Sequence, residues 1–168
     1  DFVTIDTSGG DGIKLAHEGA ALRDLTVTGD GTSYGIQYGE VGTYYPDMDV
    51  MNVVVKGCST GFVAYGQTMY GDLDIVAHGN TGTGIHFDMS QNANDYANSH
   101  SIRRLIANRN DGTGILVSGG GGTGTFAGNT ITQLESEQNG AYGFRITGTP
   151  YVSGCTFLGY GTEGNTTN

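Results

Sequence analysis

Apolar residues along this chain alternate with polar ones in short runs, and the runs return at a near-regular interval. Glycine followed by apolar-x-apolar occurs six times: Gly12-Ile13-Lys14-Leu15, Gly35-Ile36-Gln37-Tyr38, Gly61-Phe62-Val63-Ala64, Gly84-Ile85-His86-Phe87, Gly114-Ile115-Leu116-Val117 and Gly143-Phe144-Arg145-Ile146. Successive copies are separated by 23, 26, 23, 30 and 29 residues, the kind of interval that marks a stacked repeat. A second pattern precedes each copy: an apolar-x-apolar pair, two spacers and a turn residue. It reads Val3, Ile5, Ser8; Leu25, Val27, Asp30; Val53, Val55, Cys58; Ile75, Ala77, Asn80; Leu105, Ala107, Asn110; and Leu134, Ser136, Asn139. In four rungs a further apolar residue stands three positions earlier, at Leu22, Val50, Ile102 and Ile131.

Period-two alternation sends one residue of each pair inward and its neighbour outward, so each rung is predicted to carry two short strands. Asn or Asp between them is expected to take the left-handed turn. Insertions lengthen the period at residues 39–49, 88–101 and 118–129, and are expected to be loops on one side. No window of a dozen residues holds a 3.6-residue period free of glycine, which excludes a helical fold. A β-sandwich would not return the same slot pattern with its variable segment always in one place. The prediction is an all-β, right-handed parallel β-helix of about six to seven rungs, one domain over residues 1–168. The inward slots Ile13, Leu15, Ile36, Tyr38, Phe62, Ile85, Phe87, Ile115, Val117, Phe144 and Ile146 are expected to be buried, facing Leu25, Val27, Val53, Val55, Ile75, Leu105 and Leu134.

Composition narrows this further. With 31 Gly but 2 Pro among 168 residues, and no glycine at every third position, the chain is turn-rich rather than collagenous. A formal charge of −10 argues against nucleic-acid binding, which needs clustered cations. No run approaches the roughly 20 apolar residues of a membrane-spanning helix, so no membrane insertion is expected. Asp1 is not followed by a signal-like segment, so the chain reads as a mature product or an excised piece. Cys58 and Cys155 fall about four rungs apart and are expected to be free thiols.

Rungs of the form Leu25-x-Val27-x-Gly29-Asp30 then Gly35-Ile36-x-Tyr38, or Ile75-x-Ala77-x-Gly79-Asn80 then Gly84-Ile85-x-Phe87, resemble the pectate-lyase-like parallel β-helix superfamily. The glycine-rich, weakly charged rungs are similar to bacteriophage tailspike and tail-fibre β-helices. The likeness spans Val3 to about Phe157 and lacks a head-binding or trimerisation module, so the chain would be an internal piece of such a protein. The resemblance implies an elongated homotrimer at the cell exterior or virion surface that binds cell-surface polysaccharide, with depolymerisation as its catalytic form. A secreted polysaccharide lyase or C5-epimerase, and a non-catalytic shaft or adhesin, are the alternatives.

Candidate chemistry lies on the outward slots. One row reads Asp24, Asn52, Asp74, Arg104, Gln133 and another Thr28, Lys56, His78, Asn108, Glu137, so Asp74, His78, Arg104, Glu135 and Glu137 are the candidate catalytic patch. Glycoside hydrolysis needs two carboxyl groups about 5 to 9.5 Å apart; a solvated polar face with an Asp74–Arg104 ion pair is the alternative. A lyase-like grouping of Asp72, Asp74 and Arg104 lacks the third carboxylate that calcium would need, so neither metal nor cofactor is expected. Tyr44, Tyr45 and Tyr96, with Asp88 and the nearby Asp47 and Asp95, are the candidate carbohydrate-binding residues, or else cover the solenoid's edge. The outward slots Val54, Val76 and Ile106 form an apolar stripe expected to face a partner subunit of a trimer, or to lie under a loop of the same chain.

Other motifs are discounted. Gly119, Gly121 and Gly124 have dinucleotide-loop spacing but no following helix. Gly9, Gly10 and Gly12 begin like a calcium-binding nonapeptide, but Lys14 stands where Asp is required. The histidines His17, His78, His86 and His100 are expected at the surface. Asn165-Thr166-Thr167 is a formal glycosylation sequon.

Overall fold

A computed structural model describes residues 3–7, 10, 12–92, 94–120 and 124–167. Ser8, Gly9 and Gly121, which entered the first turn and the two discounted glycine motifs, lie outside the described residues. All of the named elements are β-strands, and no helix is long and apolar enough to cross a membrane among the described residues.

The stack opens with β1 (Val3–Asp6) and β2 (Ile13–Leu15). Five complete turns of three strands each follow. They are β3 (Ala21–Thr28), β4 (Tyr34–Tyr38) and β5 (Tyr44–Pro46); β6 (Asp49–Lys56), β7 (Thr60–Tyr65) and β8 (Gln67–Met69); β9 (Asp72–His78), β10 (Ile85–Met89) and β11 (Tyr96–Asn98); β12 (Ser101–Asn108), β13 (Ile115–Gly119) and β14 (Thr125–Ala127); and β15 (Thr130–Glu137), β16 (Phe144–Thr147) and β17 (Tyr151–Ser153). Two short strands, β18 (Thr156–Phe157) and β19 (Tyr160–Glu163), both pair with β15. Every strand pairing is parallel and joins equivalent strands of successive turns into three walls. Sheet A runs β1-β3-β6-β9-β12-β15-β18, sheet B β2-β4-β7-β10-β13-β16, and sheet C β5-β8-β11-β14-β17.

The chain is therefore a parallel β-solenoid of five complete turns with a partial turn at each end, fewer than the six to seven rungs expected. The expectation of two strands per rung is also corrected. Three strands of sheet C, β5, β11 and β14, lie in the segments read as loop insertions, and β8 and β17 in segments given no strand; three-residue strands are too short to show an alternation in sequence.

The inward slots form one core along the axis. Ile36, Tyr38, Phe62, Ile85, Phe87, Ile115 and Val117 from sheet B are buried, and Leu25, Val27, Val53, Val55, Ile75, Leu105 and Leu134 from sheet A face them. Aromatic rings run through it as a chain, Tyr38 to Phe62 at 5.6 Å, Phe62 to Phe87 at 6.1 Å and Phe87 to Phe126 at 5.1 Å between centroids. Ile146 departs from expectation at 48% exposed, because β16 ends sheet B and no further strand covers it. Phe144 on the same strand is half-buried.

The corners also differ from the sequence reading. At the turn from sheet A to sheet B the left-handed residue is not the asparagine but the one before it: Gly79, Arg109 and Gln138 have φ of 62°, 55° and 54°. Asn80, Asn110 and Asn139 turn inward, 1–2% exposed, and each accepts bonds from the turn below. Asn110 Oδ1 accepts from Asn80 N and Nδ2 at 3.1 and 2.8 Å, and Asn139 Oδ1 accepts from Asn110 N and Nδ2 at 3.0 and 2.9 Å. Asn165 continues the ladder, its Nδ2 donating to the Ser136 carbonyl at 2.8 Å, so the sequon's amide is engaged in the fold. Buried backbone groups at a tight corner need such partners.

The turn from sheet C to sheet A repeats the device with Asp47, Tyr70 and Ser99 at φ 55°, 62° and 56°, ahead of inward Met48, Gly71 and His100. His100 is buried rather than at the surface, its Nε2 3.2 Å from Thr68 Oγ1 and its backbone N donating to Asn129 Oδ1 at 2.9 Å. A Cβ on Gly71 would lie 2.1 Å from the Met48 carbonyl oxygen and 2.2 Å from the Tyr38 hydroxyl, so only glycine leaves room for that hydroxyl and the imidazole together.

The thiols are both free, Cys58 buried in the ladder corner and Cys155 partly buried after β17.

Candidate functional site

Sheet A carries a cavity of about 650 Å³ on its outward face, lined by Arg23, Asp24, Met51, Asn52, Asp74, Arg103, Arg104, Thr132 and Gln133. Its origin is a break in the repeat. In β3, β6, β12 and β15 two residues separate the first two inward side chains, as in Leu22 to Leu25 and Ile102 to Leu105. In β9 only Asp74 separates Leu73 from Ile75. Pairing therefore slips by one residue on both sides of β9, between Val50 and Val53 of β6 and between Ile102 and Arg104 of β12. The neighbouring strands bulge outward and Asp74 is left at the floor, 4% exposed. Its Oδ1 accepts from Arg104 Nε at 2.6 Å. At the rim Asn52 Nδ2 donates to Asp24 Oδ1 at 2.7 Å and Arg23 pairs with Asp49 at 2.5 Å.

The five candidate catalytic residues do not converge. Asp74 and Arg104 belong to this cavity. His78 and Glu137 line a second one of about 280 Å³ with Val76, Asn108, Arg109 and Gln138. Burial, with Lys56 and Arg109 nearby, pulls the His78 imidazole below its ordinary range. Glu135 stands between the two cavities, in register with Ile106, and accepts from Gln133 Nε2 at 3.3 Å. The two carboxylates that share a cavity are Asp74 and Asp24, two strands apart and so about 10 Å by backbone spacing. Among the described residues no group of three or more His, Cys, Asp or Glu side chains is placed to hold a metal ion.

Of the carbohydrate-binding candidates, Tyr44 and Tyr96 lie outward on sheet C. The register there runs Tyr44, Gln67, Tyr96, Thr125, Tyr151 up successive strands with no slip. Tyrosines thus stand on every second rung, with Tyr44 49% and Tyr151 62% exposed and Tyr96 half-buried. Burial, with Tyr44 and Tyr70 close by, raises the Tyr96 phenol, which places exposed Tyr70 beside the row. Tyr45 instead points inward against the core, its hydroxyl donating to Glu40 Oε2 at 3.2 Å.

Asp88 is buried and fully engaged. Its Oδ1 accepts from Ser90 N and Oγ and from Ser118 Oγ, and its Oδ2 from Gln91 Nε2. Burial alone would raise the Asp88 carboxyl, but the bonds from Ser90 and Gln91 outweigh it and hold the group below the usual range. Asp95 is buried too; burial raises its carboxyl although Gly42 N donates to Oδ1 at 3.0 Å. Asp47 is an exposed corner residue.

Sequence reasoning missed Arg23, Arg103 and Tyr151. The signal for the arginines was the one rung whose apolar spacing is two rather than three; Tyr151 falls in the slot of Tyr44 and Tyr96 but needed the third wall to be seen. Val54, Val76 and Ile106 stand in register as an outward, half-buried stripe on sheet A.

Compared with known proteins, the chain matches no family model, no curated protein and no solved structure.

Proposed function

We propose that this solenoid is a polysaccharide-binding module that lays an extended glycan along sheet C. The observation that carries the reading is the alternate-rung tyrosine row of Tyr44, Tyr96 and Tyr151. Strands stack at about 4.8 Å, so the rings repeat at roughly 10 Å, close to the length of two linked pyranose units. The C–H face of a sugar packs on a tyrosine ring while the phenol serves its hydroxyls. Gln67 and Thr125, the shorter side chains between, leave a trough for the intervening sugars and offer hydrogen bonds. Binding rather than hydrolysis or elimination fits the carboxylates, because Asp74 is held by Arg104, Glu135 is bonded to Gln133 and Glu137 lines a separate cavity.

The reading places the protein outside a cell or on a virion, where such polymers are met. It includes self-association through Val54, Val76 and Ile106, since stacked apolar side chains on a sheet face are stabilised by a partner; a monomer in sedimentation at high concentration would remove that element. Affinity electrophoresis through gels containing alginate, hyaluronan, dextran or xylan tests the main proposal. At least one polymer should retard the protein, and Tyr96→Ala should weaken retardation about tenfold, the equivalent of about 1.4 kcal/mol. Equal retardation of the wild type and the variant by every retarding polymer, or retardation by none, overturns it.

A further inference from the structure

A further cavity, of about 480 Å³, opens on the outer face of sheet B where the chain turns toward sheet C. Tyr34 and Gln37 of β4 and Tyr65 of β7 line it, with Glu40 and Val41 from the turn after β4 and Gln91 from the loop after β10. Three successive turns build it, and none of these residues is cationic. Val63 stands in register between Gln37 and His86 and is no part of the inner core, yet it is fully buried. Side chains therefore close this stretch of the outer face to water.

The lining groups are all of a kind that attracts positive charge. The Tyr34 and Tyr65 rings stand 80° apart with centroids at 6.4 Å, and the Tyr65 hydroxyl donates to that of Tyr34 at 3.3 Å. The face of such a ring draws a cation, most strongly where water is excluded. Both glutamine amides spend their nitrogens on fixed acceptors: Gln37 Nε2 donates to the Gly39 carbonyl at 3.1 Å, and Gln91 Nε2 to Asp88 Oδ2 at 2.9 Å. Those acceptors fix which end of each amide is nitrogen, and both Oε1 atoms are left without a partner among the described residues. Glu40 adds a carboxylate, its Oε1 3.2 Å from Lys14 Nζ with both side chains about half exposed and its Oε2 accepting from Tyr45. A carboxylate has room for more than two donors, and an ion pair this exposed is weak enough to exchange. Burial, then the Tyr34 hydroxyl and the charge of Asp88, raise the Tyr65 phenol, so the negative field of Asp88 reaches the cavity wall.

We propose that this cavity binds a small primary alkylammonium ion, independently of the tyrosine row on sheet C. The cation lies against the Tyr34 and Tyr65 rings, its N–H groups donate to Glu40 and to Oε1 of Gln37 and Gln91, and its alkyl chain covers Val41, which is 43% exposed. A quaternary ammonium would leave those three acceptors unserved, and an anion would meet acceptors alone. The volume is within the ordinary range of small-ligand sites and encloses a free amine whole. Lys14 is the chain's own competitor for Glu40.

Titration of the protein with pentylammonium chloride, pentanol and tetramethylammonium chloride at fixed ionic strength, followed by amide NMR shifts, tests this. Pentylammonium should shift the amides of Tyr34, Glu40 and Tyr65 and bind at least about tenfold more tightly than the alcohol or the quaternary ion. Nα-acetyl-lysinamide, standing in for a lysine of a protein partner, should bind no more tightly than pentylammonium. Tyr34→Ala and Glu40→Gln should each weaken pentylammonium about tenfold, and Lys14→Ala should tighten it about threefold by removing the competitor. Tyr34 is 42% exposed and Glu40 is exposed, so these variants should keep the fold, as circular dichroism would check. Tyr34→Ala leaves the formal charge at −10, so its loss of binding separates the site from general attraction of a cation to an acidic chain. Tyr96→Ala should leave pentylammonium binding unchanged. No pentylammonium binding, pentanol or tetramethylammonium bound equally well, Nα-acetyl-lysinamide bound more tightly, unchanged affinity in Tyr34→Ala or Glu40→Gln, no gain in Lys14→Ala, or loss in Tyr96→Ala would each overturn the assignment.

Discussion

Sheets A and C are built from the same stacked turns, yet they present opposite kinds of surface. On sheet C the register runs without a slip, so a side chain placed in one slot recurs in line with its equivalents and the wall becomes a periodic platform. On sheet A one strand is a residue shorter than its neighbours, and that defect turns a flat wall into a pocket with a buried aspartate at its base. Fidelity of the repeat suits a polymeric ligand; failure of the repeat makes one discrete cavity. Both depend on the shared core and corners, and the two surfaces should separate only when a change spares that frame.

The largest expected effect falls on the frame itself. Phe87 is 1% exposed and its ring packs between Phe62 and Phe126, linking sheet B to sheet C across the axis. Phe87→Ala should cost about 3 to 5 kcal/mol, from lost burial and the cavity left behind. Chemical denaturation should show this, with polysaccharide binding and the circular dichroism of the strands lost at the same denaturant concentration. If one signal outlives the other, the solenoid does not unfold as one unit.

A smaller effect distinguishes the two corners by pH. Burial pushes the His100 imidazole down to about 4, whereas the asparagine corner has nothing to titrate. A histidine in the unfolded chain protonates near 6.5, so between about pH 6.5 and 4 the unfolded state binds more protons than the folded one. Stability contributed by neutral His100 is therefore complete above pH 6.5 and falls as pH drops, by about 3 kcal/mol once pH 4 is reached. His100→Asn, which places the residue type of Asn129 in the same slot, should remove this part of the acid sensitivity. Urea unfolding of both proteins at pH 7 and pH 4.5 checks it; parallel losses in the two would refute it.

How much of this could be read from sequence depended on strand length. Five-to-eight-residue strands such as β4, β6 and β12 display enough alternation for Ile36, Tyr38, Val53 and Leu105 to be placed inward correctly. The outward row Asp24, Asn52, Asp74, Arg104, Gln133 was legible for the same reason, and all five residues line the cavity. Three-residue strands carry one inward side chain each, so Tyr45, Thr68, Ala97 and Phe126 have no period to announce them, and the third wall goes unseen, with β5, β11 and β14 inside the expected loops. Asn80, Asn110 and Asn139 were recognised as corner residues but assigned the wrong dihedral, because an asparagine suits a left-handed turn and an inward hydrogen-bonding slot equally well. His100 was misplaced since a polar residue just outside a strand gives no sign of being enclosed by Thr68, Gly71 and Asn129. The shortened spacing in β9 was visible, but its consequence emerges only when neighbouring strands are in register.

The smallest predicted effect on stability is also the most selective test of the comparison. Inserting one asparagine after Asp74 would give β9 the two-residue spacer of β6, whose Asn52 already adopts the required φ of 54°. The register slips against Val50–Val53 and Ile102–Arg104 would then vanish, and the new strand would bulge in step with its neighbours. The inward residues Leu73 and Ile75 keep their slots, so the core is retained and the stability change should be within about 1 kcal/mol, as for a surface change that leaves packing intact. Asp74 would rise from the floor and Arg104 would lose its enclosed partner. Amide NMR shifts should then change around Asp74 and Arg104 on sheet A, while retardation by polysaccharide along Tyr44, Tyr96 and Tyr151 stays at the wild-type level. An insertion variant that folds and keeps the wild-type shifts around Asp74 and Arg104 would show that the missing residue has nothing to do with the pocket.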